Sequence, residues 1–591
     1  MTGLQLRRRP PGDGSALGDL PPVLRRVYAA RGIHTRSALD LRLGRLLPPA
    51  ALGGLDAACE LLHRALDQQW RVVVVGDFDC DGATGTAVAV RGLRLLGLRD
   101  LHYRVPNRFL HGYGLSPALV AELLPLAPRL ILTVDNGVAA HAGIAAARAA
   151  GIEVLVTDHH LPGDSLPAAS AMVNPNAVAP ERCAHAAPAC EQCSEAQRQS
   201  RALAGVGVVF YLLLVLRARL RAGGAFAPGG EPDLSCLLDL VALGTVADLV
   251  PLEFNNRVLV EAGLRRIRAG QACAGVAALV EVSQRRAATL TAADLGFALA
   301  PRINAAGRLE DMGLGIECLL TDEAGRAREL AERLHEINAE RRDLQAAMVE
   351  QGEALVQQVL DRRGDAALPW GLVLYEPGWH AGVVGLVASR LKERLHRPVI
   401  AFAPAGEDAT GELKGSARSI PGFHLRDALA AVDARHPGLI LRFGGHAMAA
   451  GLSLAAADLS RFAAAFDAMV TAQLASELRE PVLWTDGGLS GEEFDAELAR
   501  TLRYGGPWGQ AFPEPLFDDA FEVDSWRPMG EVHLRLMLRH AERKEPLEAV
   551  MFGAYDGTPP PRSVRAAYHL QLDEWNGRER LRLLLRHLEP L

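Results

Sequence analysis

Four consecutive valines, Val72 to Val75, open the first strongly apolar run of the chain; the runs after it, "RLILTVDNG", "IEVLVTDHH" and "AMVNPN", are separated by alanine- and leucine-rich stretches of helical spacing. Runs apolar on both faces and divided by helices predict parallel strands of a doubly wound α/β domain over about residues 70 to 175. In such sheets a ligand lies outside the carboxyl ends of the strands. Each of the first three runs ends in carboxylates or imidazoles, so these groups are expected to converge there. Residues 321 to 361 contain no proline, and Leu330, Leu334, Ile337, Leu344, Met348, Leu355 and Val359 trace one apolar stripe at helical steps. This predicts a long amphipathic helix bridging two lobes; a coiled-coil seam would bury a similar stripe. Beyond it, "GLVLYEPGWHAGVVGLVASRLKERLHRPVIAF" reads as strand, turn, helix and strand of a second α/β unit. From residue 481 short candidate strands, "HLRLMLRH", "EAVMFGAY" and "RLRLLLRHLE", suggest a small antiparallel barrel or sandwich.

Length and charge narrow this picture. A chain of 591 residues exceeds one core, and its net charge of −7 argues against a generic basic coat for nucleic acid. Any polyanion must be held by a local site or groove. Only Lys392, Lys414 and Lys544 are lysines, so the cations are mostly arginine, which forks onto phosphate. The apolar run "VVFYLLLVLRARL" is broken by Arg217, and "MTGLQLRRRPPGDG" has no apolar stretch behind its basic residues, so a cytoplasmic protein without a membrane span is expected. Eight cysteines, mostly scattered, suit a reducing compartment. In the polar insertion 181 to 200, Cys190 and Cys193 have zinc-knuckle spacing, but Cys183 and His185 are poorly spaced as a second pair, which favours plain thiols.

The chemistry concentrates at the strand ends. Asp77, Asp79 and Asp81 crowd the turn "GDFDCDGATG", and like charges so close repel strongly unless a cation sits among them. The competing reading is a solvated aspartate turn, which the apolar strand before it disfavours. Asp135 in "TVDNGV", Asp158, His159 and His160 in "TDHH", and Asp248 in "LVALGTVADLVPL" supply further donors. So many carboxylates with one or two imidazoles match a pair of divalent ions, Mn²⁺ or Mg²⁺, better than a mononuclear zinc site.

These motifs resemble those of the DHH phosphoesterase superfamily, and within it the whole chain is similar to the bacterial exonucleases specific for single-stranded DNA. "GDFDCDG", "TVDNG", "TDHH" and "ALGTVADLVPL" carry the superfamily resemblance; "NPN", "LAGVGVVFYL", "RINAAGRL", "GWHAGVVG", "KGSARS", "FGGHAMAAGL", "INAERRDLQ" and "GPWGQAFPEPLF" carry the narrower one. The resemblance implies two α/β lobes, DHH and DHHA1-like, joined by a long helix around a central cleft, plus a C-terminal OB-like β-barrel. The expected division is an N-terminal helical segment 1–69, a DHH domain 70–320, a connecting helix 321–365, a DHHA1-like domain 366–480 and an OB-like domain 481–591. It also implies metal-dependent degradation of single-stranded DNA from 5′ to 3′, releasing 5′-mononucleotides in recombination and repair. Asp79, Asp81, Asp135, His159 and Asp248 would hold two metals, with Asp135 bridging and Asp77 a further ligand. His160 would face the scissile phosphate, and Asp158 would orient the histidine pair. Ser416 and Arg418 would take a terminal phosphate beside His380, His446 would reach the nucleotide, and Arg108, Arg302 and Arg308 would clamp the strand. Trp508, Phe512 and Trp526 are candidates for base stacking, with core packing the default for each. A monomer fed by a single-strand-binding protein and a RecQ-type helicase is the implied setting. The alternatives are a phosphodiesterase acting on short oligonucleotides or cyclic dinucleotides, a manganese pyrophosphatase, or a non-catalytic DNA-binding scaffold. Length disfavours the small-substrate readings, and the full set of candidate ligands disfavours the scaffold.

Overall fold

The computed structural model describes residues 3–107, 113–177, 191–363, 367–405, 411–575 and 578–591. It divides into two compact units, one formed by Arg8–Ile337 with Thr485–Leu591, the other by Asn338–Trp484 with the N-terminal residues to Arg7.

In the larger unit, β2 (Val72–Val75), β3 (Leu101–Arg104), β4 (Leu130–Val134), β5 (Glu153–Thr157) and β6 (Ala171–Val173) form one sheet in the order β3-β2-β4-β5-β6. Every pairing is parallel, and β2 and β4 are buried at every position. The expected doubly wound sheet is therefore present, and its β-branched runs suit strands covered on both faces. The helices Cys80–Leu95, Gly205–Ala222 and Leu238–Ala247 pack together beside it. Small residues permit that approach: at Gly244 a Cβ would stand 2.2 Å from Thr84 Oγ1.

The C-terminal strands β13 (Phe517–Met529), β14 (His533–His540), β15 (Leu547–Met551), β16 (Ser563–Trp575) and β17 (Arg578–Pro590) close into a barrel. The expected barrel is confirmed, with one departure: β15 pairs with β17 in parallel. It also shares a continuous apolar core with the N-terminal helices and the β2 sheet. Arg31 and Asp486, both buried, form a two-bond ion pair at 2.7 and 2.8 Å, and Tyr28 donates to Gly505 O. Trp508 lies between the Tyr28 and Phe512 rings. Trp508 and Phe512 thus serve the core, whereas Trp526, 36% exposed, remains on the barrel surface beside Tyr555.

The smaller unit holds a mixed sheet, β10-β11-β9-β8-β7, built from β7 (Leu372–Tyr375), β8 (Val399–Pro404), β9 (Glu412–Arg418), β10 (Arg442–Gly445) and β11 (Ala449–Ala455). Its core is formed by side chains such as Phe402, Leu429, Phe462 and Phe466. The N-terminal segment is not wholly helical, because β1 (Gln5–Arg8) pairs with β12 (Val482–Thr485). So short a strand has no readable period, and its partner lies far away in sequence. The long helix runs over Ala324–Arg363, with Leu330, Leu334, Ile337 and Met348 of the predicted stripe buried. Among the described residues no single helix is long and apolar enough to cross a membrane.

Candidate metal centre and phosphate pocket

The carboxyl ends of β2, β4 and β5 meet the C-terminus of helix Leu238–Ala247, and the predicted acids and imidazoles gather there. Asp79 caps helix Cys80–Leu95 by accepting from Gly82 N at 3.0 Å. Asp81 reaches across to the next helix and accepts from Gly205 N at 2.6 Å and Val206 N at 3.0 Å. Helix Gly205–Ala222 has no capping side chain of its own, so Asp81 satisfies two of its free N–H groups. Gly205 has to be glycine: a Cβ there would lie 2.6 Å from Asp135 Cβ.

Asp135 follows β4 in a left-handed conformation, φ 62°, and is buried. Its Oδ1 accepts no hydrogen bond, although His159 Nε2 is 3.1 Å away. The same nitrogen is 3.4 Å from Asp248 Oδ2 and 3.9 Å from Asp81 Oδ2. Three overlapping sets of possible ligand atoms result, Asp81 with His159 and Asp248, Asp77 with Asp79 and Asp135, and Asp135 with His159 and His160; in each the atoms lie within 4.8 Å of one another. Among the described residues no arginine or lysine is ion-paired with Asp79, Asp81, Asp135 or Asp248.

The electrostatics reflect burial and the crowding of carboxylates. Burial, then the charge of Asp79, pushes Asp81 up to about 7 despite its two backbone hydrogen bonds. Burial and neighbouring carboxylates likewise hold Asp135 and Asp248 well above the usual carboxylate range. A hard, oxygen-rich set with one shared imidazole and an orphaned carboxylate oxygen fits a pair of divalent cations of the Mn²⁺ or Mg²⁺ class.

Asp158 has another task. Its oxygens accept from Val138 N at 2.8 Å, His159 N at 2.8 Å, His160 N at 3.0 Å and His160 Nδ1 at 2.8 Å. Burial pulls it up, but the bonds from His160 and the backbone outweigh burial and hold it low. His160 is the complement: burial pulls it down, yet the bond to Asp158 and nearby carboxylates raise its pKa. Tyr113, which the sequence reading passed over, donates to Asp135 O at 3.0 Å and lies 3.2 Å from His160 Nδ1. The "NPN" turn supports the same backbone, since Asn174 Nδ2 donates to His160 O at 2.9 Å and Asn176 Nδ2 to His159 O at 2.6 Å. Amides flanking a histidine pair are visible in sequence, but their targets are not.

In the smaller unit, Ser416 and Arg418 stand on one face of β9, with Arg418 Nη1 donating to Ser416 Oγ at 3.0 Å. Both face the first turn of helix Val384–Leu395: a Cβ on Gly385 would lie 2.8 Å from Arg418 Nη2 and 2.8 Å from Ser416 Oγ. His380 precedes that helix, and its Nδ1 accepts from Gly382 N at 3.1 Å. This combines a guanidinium, a hydroxyl and a helix N-terminus, suited to a phosphate. His446 is exposed in the turn between β10 and β11. Arg302 is buried rather than on an open surface; it bonds Ala298 O and, through Nε at 3.2 Å, His335 Nδ1. Arg308 is half-buried on helix Ala300–Leu309. Arg108, Cys183, His185 and Cys190 lie outside the described residues, as does the side chain of Cys193.

Comparison with known proteins agrees with this geometry. Three family models match: "DHH family, N-terminal domain" over residues 71–245, "DHHA1 domain" over 369–472 and "RecJ OB domain" over 485–587. The single-stranded-DNA-specific exonuclease RecJ of Dickeya dadantii is 50% identical, the alignment covering 99% of each chain. That of Escherichia coli is 47% identical over 100% of this chain and 99% of its own. The crystal structure of Thermus thermophilus RecJ in complex with Mn²⁺ superposes with a TM-score of 0.79 at 31% identity, covering 100% of this chain and 80% of that one. The corresponding Mg²⁺ complex gives 0.73 at 29% identity, covering 100% of this chain and 78% of that one.

Proposed function

As the chain belongs to the RecJ family of the DHH phosphoesterases, we propose that it is a metal-dependent exonuclease that degrades single-stranded DNA from 5′ to 3′ and releases 5′-mononucleotides. The observation that carries this reading is the convergence of Asp77, Asp79 and Asp135 with Asp81, His159 and Asp248, carboxylates crowded around a shared imidazole at the strand ends. The residues fit two ions of the Mn²⁺ or Mg²⁺ class, the metals in the two Thermus thermophilus RecJ complexes. Bound there, such ions supply a hydroxide nucleophile at neutral pH and offset charge on the phosphoryl oxygens.

The protein's own groups do the rest. Asp158 locks His160 through Nδ1, so the imidazole keeps one orientation and a raised proton affinity. A proton held on His160 can be donated to a phosphoryl oxygen placed beside the acids. Ser416 and Arg418, beside the first turn of helix Val384–Leu395, take a terminal 5′ phosphate, which would set the polarity. The barrel offers Trp526 with Tyr555 as a stacking surface for the strand. A monomer in the cytoplasm, working with a single-strand-binding protein and a RecQ-type helicase, completes the proposal.

The test is degradation of 5′- and 3′-labelled strands in Mn²⁺ and in EDTA, by wild type and Asp135→Ala. Loss of single strands from the 5′ end, only with metal and not with the variant, is the expected result. Cleavage confined to di- or trinucleotides would replace the proposal with a small-substrate phosphodiesterase.

A further inference from the structure

Among the described residues, setting aside the terminal Leu591, the two most exposed large apolar side chains are Phe297 at 85% and Leu249 at 67%. Neither position is incidental. Leu249 directly follows Asp248 and is held in a left-handed conformation, φ 59°, which bulky L-residues rarely adopt. Phe297 stands in the middle of a π-helical turn, Leu295–Leu299, whose neighbours Leu295, Ala298 and Leu299 are buried. Such a turn inserts a residue into the helical spacing and turns one side chain out of the buried face; π-bulges recur at functional sites.

Both ends of this segment pack against elements that carry candidate metal ligands. At its start, Gly296 lies against helix Leu238–Ala247, where a Cβ would be 3.2 Å from Val246 Cγ1, two residues before Asp248. At its end it runs into helix Ala300–Leu309, where Asn304 Oδ1 accepts from Cys80 N at 2.8 Å, between Asp79 and Asp81. One turn on, Gly307 is so close to Phe78 that a Cβ would sit 2.0 Å from its carbonyl oxygen. Arg302, bonded to Ala298 O, ties the π turn to the helix that follows. Phe297 is thus projected from a segment that packs on the helix before Asp248 and runs into the helix bonded to the Asp79–Asp81 turn, and Leu249 directly follows Asp248.

We propose that Phe297, with Leu249 at its side of the metal centre, is the surface on which a nucleobase of the single strand packs while its phosphate is at the acids. This rests on the exonuclease reading and deepens it. A phenyl ring offers no hydrogen bond, so it holds any base by its π-face, as a nuclease indifferent to sequence requires. A base still paired and stacked in a duplex has no free face to give.

The experiment measures fluorescence-anisotropy binding of a single strand with non-hydrolysable linkages at its 5′ end in Mn²⁺, and KM and kcat on the normal strand in Mn²⁺, for wild type, Phe297→Ala and Phe297→Trp. Loss of one stacked base weakens binding by about tenfold. The alanine variant is expected to raise Kd and KM about tenfold by this measure, with the loss in KM rather than kcat, and tryptophan to restore both. On strands with base-free deoxyribose at the first three 5′ positions, wild type and Phe297→Ala should converge. Equal Kd for wild type and Phe297→Ala on the normal strand overturns the inference, as does a tenfold gap that persists on the base-free strand. A wild type that binds more tightly than Phe297→Ala but cleaves nothing overturns the exonuclease reading and leaves the base contact standing.

Discussion

Single residues at the metal centre are set by space as much as by charge. Gly205 shows this: it must admit Asp135 within van der Waals reach and donate its N–H to Asp81. Gly205→Ala is expected to weaken Mn²⁺ binding by tenfold or more, measured by calorimetry, because both carboxylates must move. Asp158→Asn keeps the shape but loses the charge that holds His160, so activity is expected to fall roughly 10- to 100-fold with metal affinity less affected. The crowding of Asp81, Asp135 and Asp248 also makes metal a stabilising ligand. Mn²⁺ at a hundred times its Kd should raise stability by about 2.7 kcal/mol, seen as a rise in Tm that EDTA reverses.

At the scale of elements, the barrel is tied to the rest of its unit by a buried acid. Asp518 on β13 accepts from Arg8, Arg565 and Thr485, and its own side chain is fully buried. Burial pulls its pKa up, but the bonds from Arg8, Thr485 and Arg565 prevail and hold it below the usual carboxylate range. It therefore ionises at lower pH in the fold than in the unfolded chain. Its contribution to stability is full above about pH 4 and is lost as the pH falls through its lower folded value. Asp518→Asn removes the charge to which the partly exposed Arg8 and Arg565 donate and is expected to cost about 1 to 2 kcal/mol at pH 7. The difference in Tm between wild type and variant should narrow as the pH is lowered toward 3, in thermal melts across that range.

For the whole molecule, a modular chain of separable domains is what composition suggests, yet the barrel and the β2 sheet share one core. Arg31 with Asp486, Tyr28 with Gly505 and Trp508, and Leu252 N with Gln510 O all cross the sequence boundary near residue 485. A chain truncated after Trp484 is expected to be far less stable or insoluble, not a free-standing catalytic piece, as differential scanning calorimetry and expression yield would show.

Period and motif spacing alone determined the parallel sheet, the long helix and which acids and imidazoles gather at the strand ends, because strand burial and clustered carboxylates leave local signatures. Val72–Val75 and "TDHH" need no distant partner to be read. Only the tertiary structure decided that Asp81 caps a helix more than a hundred residues away, that Tyr113 and the "NPN" amides hold the histidines, and that Arg302 points inward. It decided between stacking and the default of core packing for Trp508 and Phe512, both of which join the core, and left Phe297 outside. The physical reason is the same in each case: an apolar or polar side chain carries its chemistry in the sequence, but whether it faces water, backbone or a partner depends on segments that meet only once the chain has folded.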